Sequence, residues 1–180
     1  MSYDPTQRQA EPASSAPAIV VSCDSHAGPK LRQQLREYCP KKYIGDFDTF
    51  ADRWDAQQAA LAQAAAPRTD DLDTSFLSGH PNLAIPGHYE PGARLRDMDF
   101  DGVAAEVIFH FSQNGEPLPF VYGPAGGLNA ATADEFELGA VGYHIYNQWL
   151  ADFVSAAPER LLGLVYLPKG VLKCPLALTL

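Results

Sequence analysis

The sequence lacks the features that mark several large classes of protein. Its 180 residues contain no run of about 18 apolar residues, so no segment is expected to span a bilayer. Basic residues are also few, since 13 Lys and Arg stand against 22 Asp and Glu, which gives a net charge of −9 and a pI near 4.8. Nucleic acids and anionic membranes require a basic surface. We therefore expect neither of them as a partner.

Cysteine is scarce as well. Cys23, Cys39 and Cys174 are too few and too scattered for a disulfide framework or a thiolate zinc site. The first 17 residues show no basic start followed by an apolar core, so they do not have the pattern of a secretory signal. They are rich in Pro, Ser, Ala and Gln, and we expect residues 1–17 to be a disordered leader. Together these absences favour a reducing, cytoplasmic location.

The rest of the chain has an ordinary globular composition, with 46% hydrophobic and 19% charged residues. Three short, nearly continuous apolar runs predict buried strands at residues 18–23, 103–109 and 161–167. Stretches with helical periodicity separate these runs. Strands that alternate with helices indicate an α/β fold built on a parallel sheet.

The helices and loops follow from turn and capping signals. Helices are predicted at residues 30–39, 46–66 and 132–157, and the last of these begins at a capping box in which Glu135 reaches back to Thr132. Residues 67–93 and 112–131 are rich in Pro and Gly and are predicted to be long loops.

The tripeptide Asp24-Ser25-His26, directly after the first predicted strand, carries the clearest chemistry. Residues i and i+2 of an extended chain share a face, so Asp24 and His26 should project together. A carboxylate and an imidazole are both good ligands for a divalent cation such as zinc or manganese. Taken alone, the tripeptide more often reflects a simpler arrangement, in which Asp24 caps the next turn and His26 hydrogen-bonds to it.

Three stretches of the chain are informative together: IVVSCDSHAGP at residues 19–29, GHYEPGARLRDMDFDGVAAEVIFH at residues 87–110 and YNQWLADFVSAAPERLLGLVYLP at residues 146–168. In this order they resemble the amidohydrolase-2 family of metal-dependent hydrolases and decarboxylases. The resemblance implies a (β/α)8 TIM barrel with a divalent metal at the carboxyl ends of its strands, and Asp24 and His26 as two of the ligands.

One departure from the family pattern bears on the reaction. Family members commonly offer His-x-His from the first strand, whereas this chain has Asp24 at the first position. An acidic residue there looks like the non-oxidative decarboxylase branch of the family. The resemblance therefore implies either hydrolysis or decarboxylation of a small carboxylic acid, with zinc or manganese as the metal.

The resemblance also implies that the chain holds only part of a barrel. A full barrel takes about 250 residues, and the family's further histidine and aspartate ligands have no counterpart here. Residues 169–180 diverge from the family, so residues 18–168 are expected to be its N-terminal part, with roughly the first three strands. An open strand edge predicts a homo-oligomer or a self-associating chain. The alternative is an inactive fragment or an interaction module.

Three further histidines are candidates for contacts with a small-molecule substrate. His80 and His88 fall in the long loop predicted before the second strand, and His110 directly follows that strand. The alternative for His80 and His88 is that they are solvated loop residues, and for His110 that it is a packed residue at a strand end.

The charged segment around Arg94 and Arg96 is expected to be a solvated approach to the second strand. A role for either arginine in pairing with a substrate carboxylate is the less favoured alternative. Tyr146, Asn147 and Trp149 match the family, but their place on a helical stripe predicts that they pack rather than react.

Overall fold

The computed structural model describes residues 18–64, 85–111, 114–121 and 133–167. Within these ranges three strands form one parallel sheet, in the order β1 (Val20–His26), β2 (Val103–Phe109) and β3 (Leu161–Gly163). The predicted α/β class is therefore confirmed at the level of a small parallel sheet with helices. Closure into a barrel depends on the tilt and stagger of all of its strands, which three strands do not test. The (β/α)8 barrel therefore remains a prediction. The leader at residues 1–17 and the tail at residues 169–180 lie outside the described residues.

The three long helices are α1 (Ile44–Ala64), α2 (Pro91–Asp101) and α3 (Ala133–Ser155). The helix predicted at residues 30–39 is instead a π-helical turn at Leu31–Leu35 followed by a 3₁₀ turn at Arg36–Tyr38. A residue before proline is driven out of the helical region, and Cys39 accordingly has φ −72° and ψ 125°. Among the described residues, none of the helices combines the length and apolar content needed to cross a membrane.

Helix α2 begins within the last three residues of the loop predicted at residues 67–93, and most of that loop lies outside the described residues. Pro91 opens the helix at the first turn, where proline has no hydrogen bond to lose. Gly102 then ends it in the left-handed conformation, with φ 71°, immediately before β2. Ala93 and Met98 face the core. The last proline of the predicted loop therefore starts a helix.

The helices cover one face of the sheet. In β2 the side chains of Glu106 and Ile108 are buried while their neighbours are only half-buried, which is the alternation of a strand with one covered face. The core combines aromatic residues of α1 and α3 with β2 and β3. Its members include Phe47, Phe50, Ile145, Tyr146, Trp149, Ile108 and Leu161. The prediction that Tyr146 and Trp149 pack is confirmed.

The third strand is shorter than predicted, but the chain beyond it stays tied to its neighbours. Leu164 N donates to the carbonyl of Ile108 at 3.0 Å. The side-chain amide of Asn147 on α3 then binds both backbone groups of Tyr166, with its oxygen 2.8 Å from Tyr166 N and its nitrogen 2.9 Å from Tyr166 O. Asn147 therefore fixes the chain where β3 would otherwise continue.

Candidate functional site

Asp24 and His26 lie together at the carboxyl end of β1, where His26 pairs in register with Phe109 of β2. Oδ1 of Asp24 is 3.3 Å from Nε2 of His26. The Asp24 side chain is 89% exposed and the His26 side chain 39%, so solutes can reach both. The alternation of the extended chain brings the two side chains to one place. Their role as metal ligands stays a prediction.

The other ring nitrogen of His26 is held by β2. Nδ1 of His26 lies 2.7 Å from the carbonyl oxygen of His110, and a carbonyl can only accept, so the proton is on Nδ1. In the neutral ring Nε2 then carries a lone pair directed toward solvent and Asp24. Metal-binding histidines characteristically donate their second ring N–H to a backbone carbonyl in this way.

The spacing of the two ligand atoms fits a single divalent cation. In a tetrahedral zinc site with ligand distances of about 2.0–2.1 Å, two ligand atoms are about 3.3–3.4 Å apart. The observed separation between Asp24 Oδ1 and His26 Nε2 is 3.3 Å. Among the described residues, no group of three or more His, Cys, Asp or Glu side chains is arranged to hold a metal. Asp24 and His26 could therefore supply two ligands of such a cation, and the described residues offer no further side chain to complete its coordination.

Two segments close around the chain just after His26. The amide of Gly28 donates to the carbonyl of His88 at 2.8 Å, and the side chain of Asn114 donates to the carbonyl of Gly28 at 2.6 Å. The 3₁₀ turn Pro86–His88 thus lies beside the end of β1, and it brings the backbone of His88 to the site. His80 lies outside the described residues.

His110 contributes its carbonyl to the site, while its ring packs between neighbours. The ring centroid is 3.9 Å from that of Phe111 and 3.8 Å from that of Tyr166. Burial, followed by the nearby charge of His26, lowers the pKa of His110 to about 4, so the ring is neutral near pH 7. Phe111 has a φ of 65°, a left-handed conformation that is uncommon outside glycine. The proposed substrate contact of His110 remains a prediction.

The environment of Arg94 differs from the expected solvated segment, because its side chain is largely buried. Its Nε lies 2.7 Å from Oε2 of Glu106, and the two side chains are only 12% and 10% exposed. Nη2 of Arg94 also lies 3.3 Å from the carbonyl of His26. Arg94 is therefore part of the support for the site and not of a solvated segment; Arg96 is exposed, as expected. The missed signal was Glu106 within an apolar strand, because a buried carboxylate requires a basic partner.

The chain was compared with known protein families, curated proteins and solved structures. No protein-family model, curated protein or solved structure gave a significant match to the chain. The chemistry of the site therefore stands on its own residues: an accessible carboxylate and an imidazole of defined tautomer, spaced for one cation, at the carboxyl end of a parallel sheet.

Proposed function

We propose that the chain contributes the first metal-binding strand of an amidohydrolase-type enzyme, which hydrolyses or decarboxylates a small carboxylic acid with zinc or manganese. The three parallel strands would be the first three of a (β/α)8 barrel. One observation carries the proposal: Asp24 Oδ1 and His26 Nε2 are 3.3 Å apart while the carbonyl of His110 holds Nδ1 of His26.

The contact at Nδ1 of His26 suits a metal at Nε2, and a protonated ring paired with Asp24 would satisfy it equally. When His26 is neutral and Nδ1 carries the proton, Nε2 and the carboxylate of Asp24 face each other as two acceptors. Two acceptors 3.3 Å apart require a proton or a cation between them. Because both side chains are exposed, an ion pair with protonated His26 would contribute little to stability. A divalent cation between Asp24 Oδ1 and His26 Nε2 would satisfy both acceptors.

Each group then has a defined role. A bound divalent metal supplies Lewis acidity, which activates water or orients a substrate carboxylate for loss of CO₂. Asp24 and His26 hold the metal, and the carbonyl of His110 keeps the His26 ring in the required tautomer and orientation. A cytoplasmic location is part of the proposal, and it is supported by the free thiols of Cys23 and Cys39.

Metal titration of the purified chain tests the proposal. Two ligands cannot fill a four-coordinate site, so we expect saturable but weak binding of Zn²⁺ or Co²⁺ that is lost on dialysis. Asp24→Asn and His26→Gln should each abolish it. Asp101→Asn removes an exposed carboxylate at the end of α2 and should leave binding unchanged.

Two results would contradict the proposal. One is an absence of saturable binding, and the other is binding that neither Asp24→Asn nor His26→Gln weakens. Tight, stoichiometric retention of metal would instead point to further ligands, with His80, His88 and His110 as the residues to substitute next.

The alternative function, an interaction module without catalysis, is favoured by exposed apolar side chains on β3 and on the chain that follows it. Leu162 is 60% exposed, and Val165 and Leu167 are each 51% exposed. Turnover on aromatic carboxylic acids, amides and esters separates the two functions. Activity that disappears in His26→Ala supports an enzyme. We expect the isolated chain to show none, because its described residues offer two candidate ligands and no third.

A further inference from the structure

Arg94 of α2 connects the segments that surround the Asp24–His26 pair. Its Nε donates to Oε2 of Glu106 in β2 at 2.7 Å. Its Nη2 donates to the carbonyl of His26 in β1 at 3.3 Å, and its Nη1 to the carbonyl of Gly87 at 3.5 Å. One guanidinium therefore binds both strands of the candidate site and the turn that lies beside it.

The anchor of this arrangement is buried. With 12% and 10% of their side chains exposed, Arg94 and Glu106 form their ion pair largely out of water. Charge-assisted hydrogen bonds are strong in such surroundings, and the planar guanidinium offers its donors in fixed directions. Glu106 consequently sets the orientation of Arg94, and the orientation of Arg94 sets which donor meets the carbonyl of His26.

His26 is thereby held at two points. Arg94 binds its backbone carbonyl, and the carbonyl of His110 binds its ring at Nδ1. Both contacts determine the position of Nε2 relative to Asp24. The contact at the carbonyl fixes the backbone of His26, and the contact at Nδ1 fixes the orientation of its ring.

We propose that Arg94 is a positioning residue for the Asp24–His26 pair. It holds the backbone of His26 so that Nε2 stays at the distance from Asp24 Oδ1 that one divalent cation requires. The inference rests on the proposed function for the identity of the cation, but the effect on the His26 ring can be measured without metal.

The chain offers a matched control in Arg160. Its Nε and Nη2 donate to the carbonyls of Ala104 and Val103 at 3.0 and 2.9 Å, and its Nη1 donates to Asp99 at 2.8 Å. Arg160 thus makes the same kinds of bond, but to the amino end of β2, away from the site. Substitution of either arginine by lysine keeps the charge and removes the fork of donors.

The experiment compares Arg94→Lys with Arg160→Lys in the full chain. Co²⁺ titration gives the metal affinity, ¹⁵N chemical shifts of the His26 ring give the fraction with the proton on Nδ1, and urea unfolding gives the stability. We expect Arg94→Lys to weaken Co²⁺ binding about tenfold, in line with the loss of an outer contact of a metal site, and to lower the Nδ1–H fraction. Arg160→Lys should change the affinity less than twofold and leave the tautomer unchanged, even where it destabilises the chain.

Each outcome decides the proposal. Unchanged affinity and tautomer in Arg94→Lys, or equal changes in both variants, would overturn it. Should the wild-type chain bind no Co²⁺, the proposed function fails, and the tautomer comparison alone supports or overturns the role of Arg94. If Arg94→Lys does not fold, Glu106→Gln replaces it, with a smaller change of the same sign expected.

Discussion

Nδ1 of His26 lies 2.7 Å from the carbonyl oxygen of His110, so a side chain joins the ends of β1 and β2 in addition to the backbone ladder. The backbone link beside it runs from Ala27 N to Phe109 O at 3.0 Å. Since the strands are parallel, both hydrogen bonds form at the end of the sheet that holds the carboxyl ends of the strands. The chemistry of β1 therefore depends on the conformation of the chain just after β2.

The pKa of His110 predicts a loss of stability in mild acid. The pKa is lowered from 6.5 to about 4, so the unfolded chain binds more protons than the folded chain between these values. The free energy of unfolding should consequently fall as the pH falls from about 6.5 to 4. Solvent reaches part of the ring, so we expect a loss of about 1–2 kcal/mol instead of the full free energy of the shift.

Urea unfolding of His110→Phe against the wild type isolates this effect, because the carboxylates titrate equally in both. The phenyl ring keeps the ring contacts with Phe111 and Tyr166, and the variant should lose part of the pH dependence. His144→Gln removes an exposed histidine of α3 and serves as the control. An unchanged pH profile in His110→Phe would show that His110 is not the group responsible.

The hydroxyl of Tyr146 should be dispensable for stability. The residue is fully buried, and its Oη has no hydrogen-bond partner within the described residues. Removing an unsatisfied buried group costs nothing, so Tyr146→Phe should leave the free energy of unfolding unchanged or raise it by up to about 1 kcal/mol. Tyr38→Phe, which loses a 2.8 Å bond to Asp152, should lower it slightly. A clear destabilisation by Tyr146→Phe in chemical denaturation would mean that Oη has a partner.

Gly142 should tolerate no side chain. A Cβ at this position of α3 would overlap the carbonyl oxygen of Pro119, whereas a Cβ at Gly45 of α1 would meet nothing within 4 Å. Overpacking against backbone cannot be relieved by a rotamer change, so Gly142→Ala should destabilise the chain by about 3 kcal/mol. Gly45→Ala should be neutral or stabilise it by about 0.5 kcal/mol. Thermal melts of the two variants give the comparison, and equal melting temperatures would argue against the close approach of α3.

Self-association should depend on the β3 side of the sheet. In the described part of the chain β3 is the last strand of the sheet, and Leu162 is 60% exposed. Unpaired strand edges and exposed apolar side chains favour pairing with another chain. Leu162→Glu should shift light-scattering masses toward the monomer, whereas Phe100→Glu, at a 92% exposed position on α2, should not. A shift toward the monomer in Phe100→Glu but not in Leu162→Glu would indicate that the interface lies on α2.

The sequence by itself located the three strands and brought the two candidate ligands together, although β1 extends to His26 and β3 ends at Gly163. The apolar run that predicts β2 has the bounds observed, Val103–Phe109, because a short β-branched and apolar run is itself a local signature of a strand. The alternation of an extended chain likewise sufficed to bring Asp24 and His26 together. Local periodicity did not reveal α2, because a proline that opens a helix and a proline that breaks one look alike in the sequence.

Only the tertiary structure decided how the site is supported. The bond from His26 to the carbonyl of His110 joins residues 84 positions apart, and the bond from Arg94 to the carbonyl of His26 spans 68. Such contacts depend on the register of β1 against β2 and on the packing of α2, neither of which is encoded in the residues that make the bond. The candidate ligands could therefore be named from the sequence, whereas the tautomer of His26 and the contacts of Arg94 required the fold.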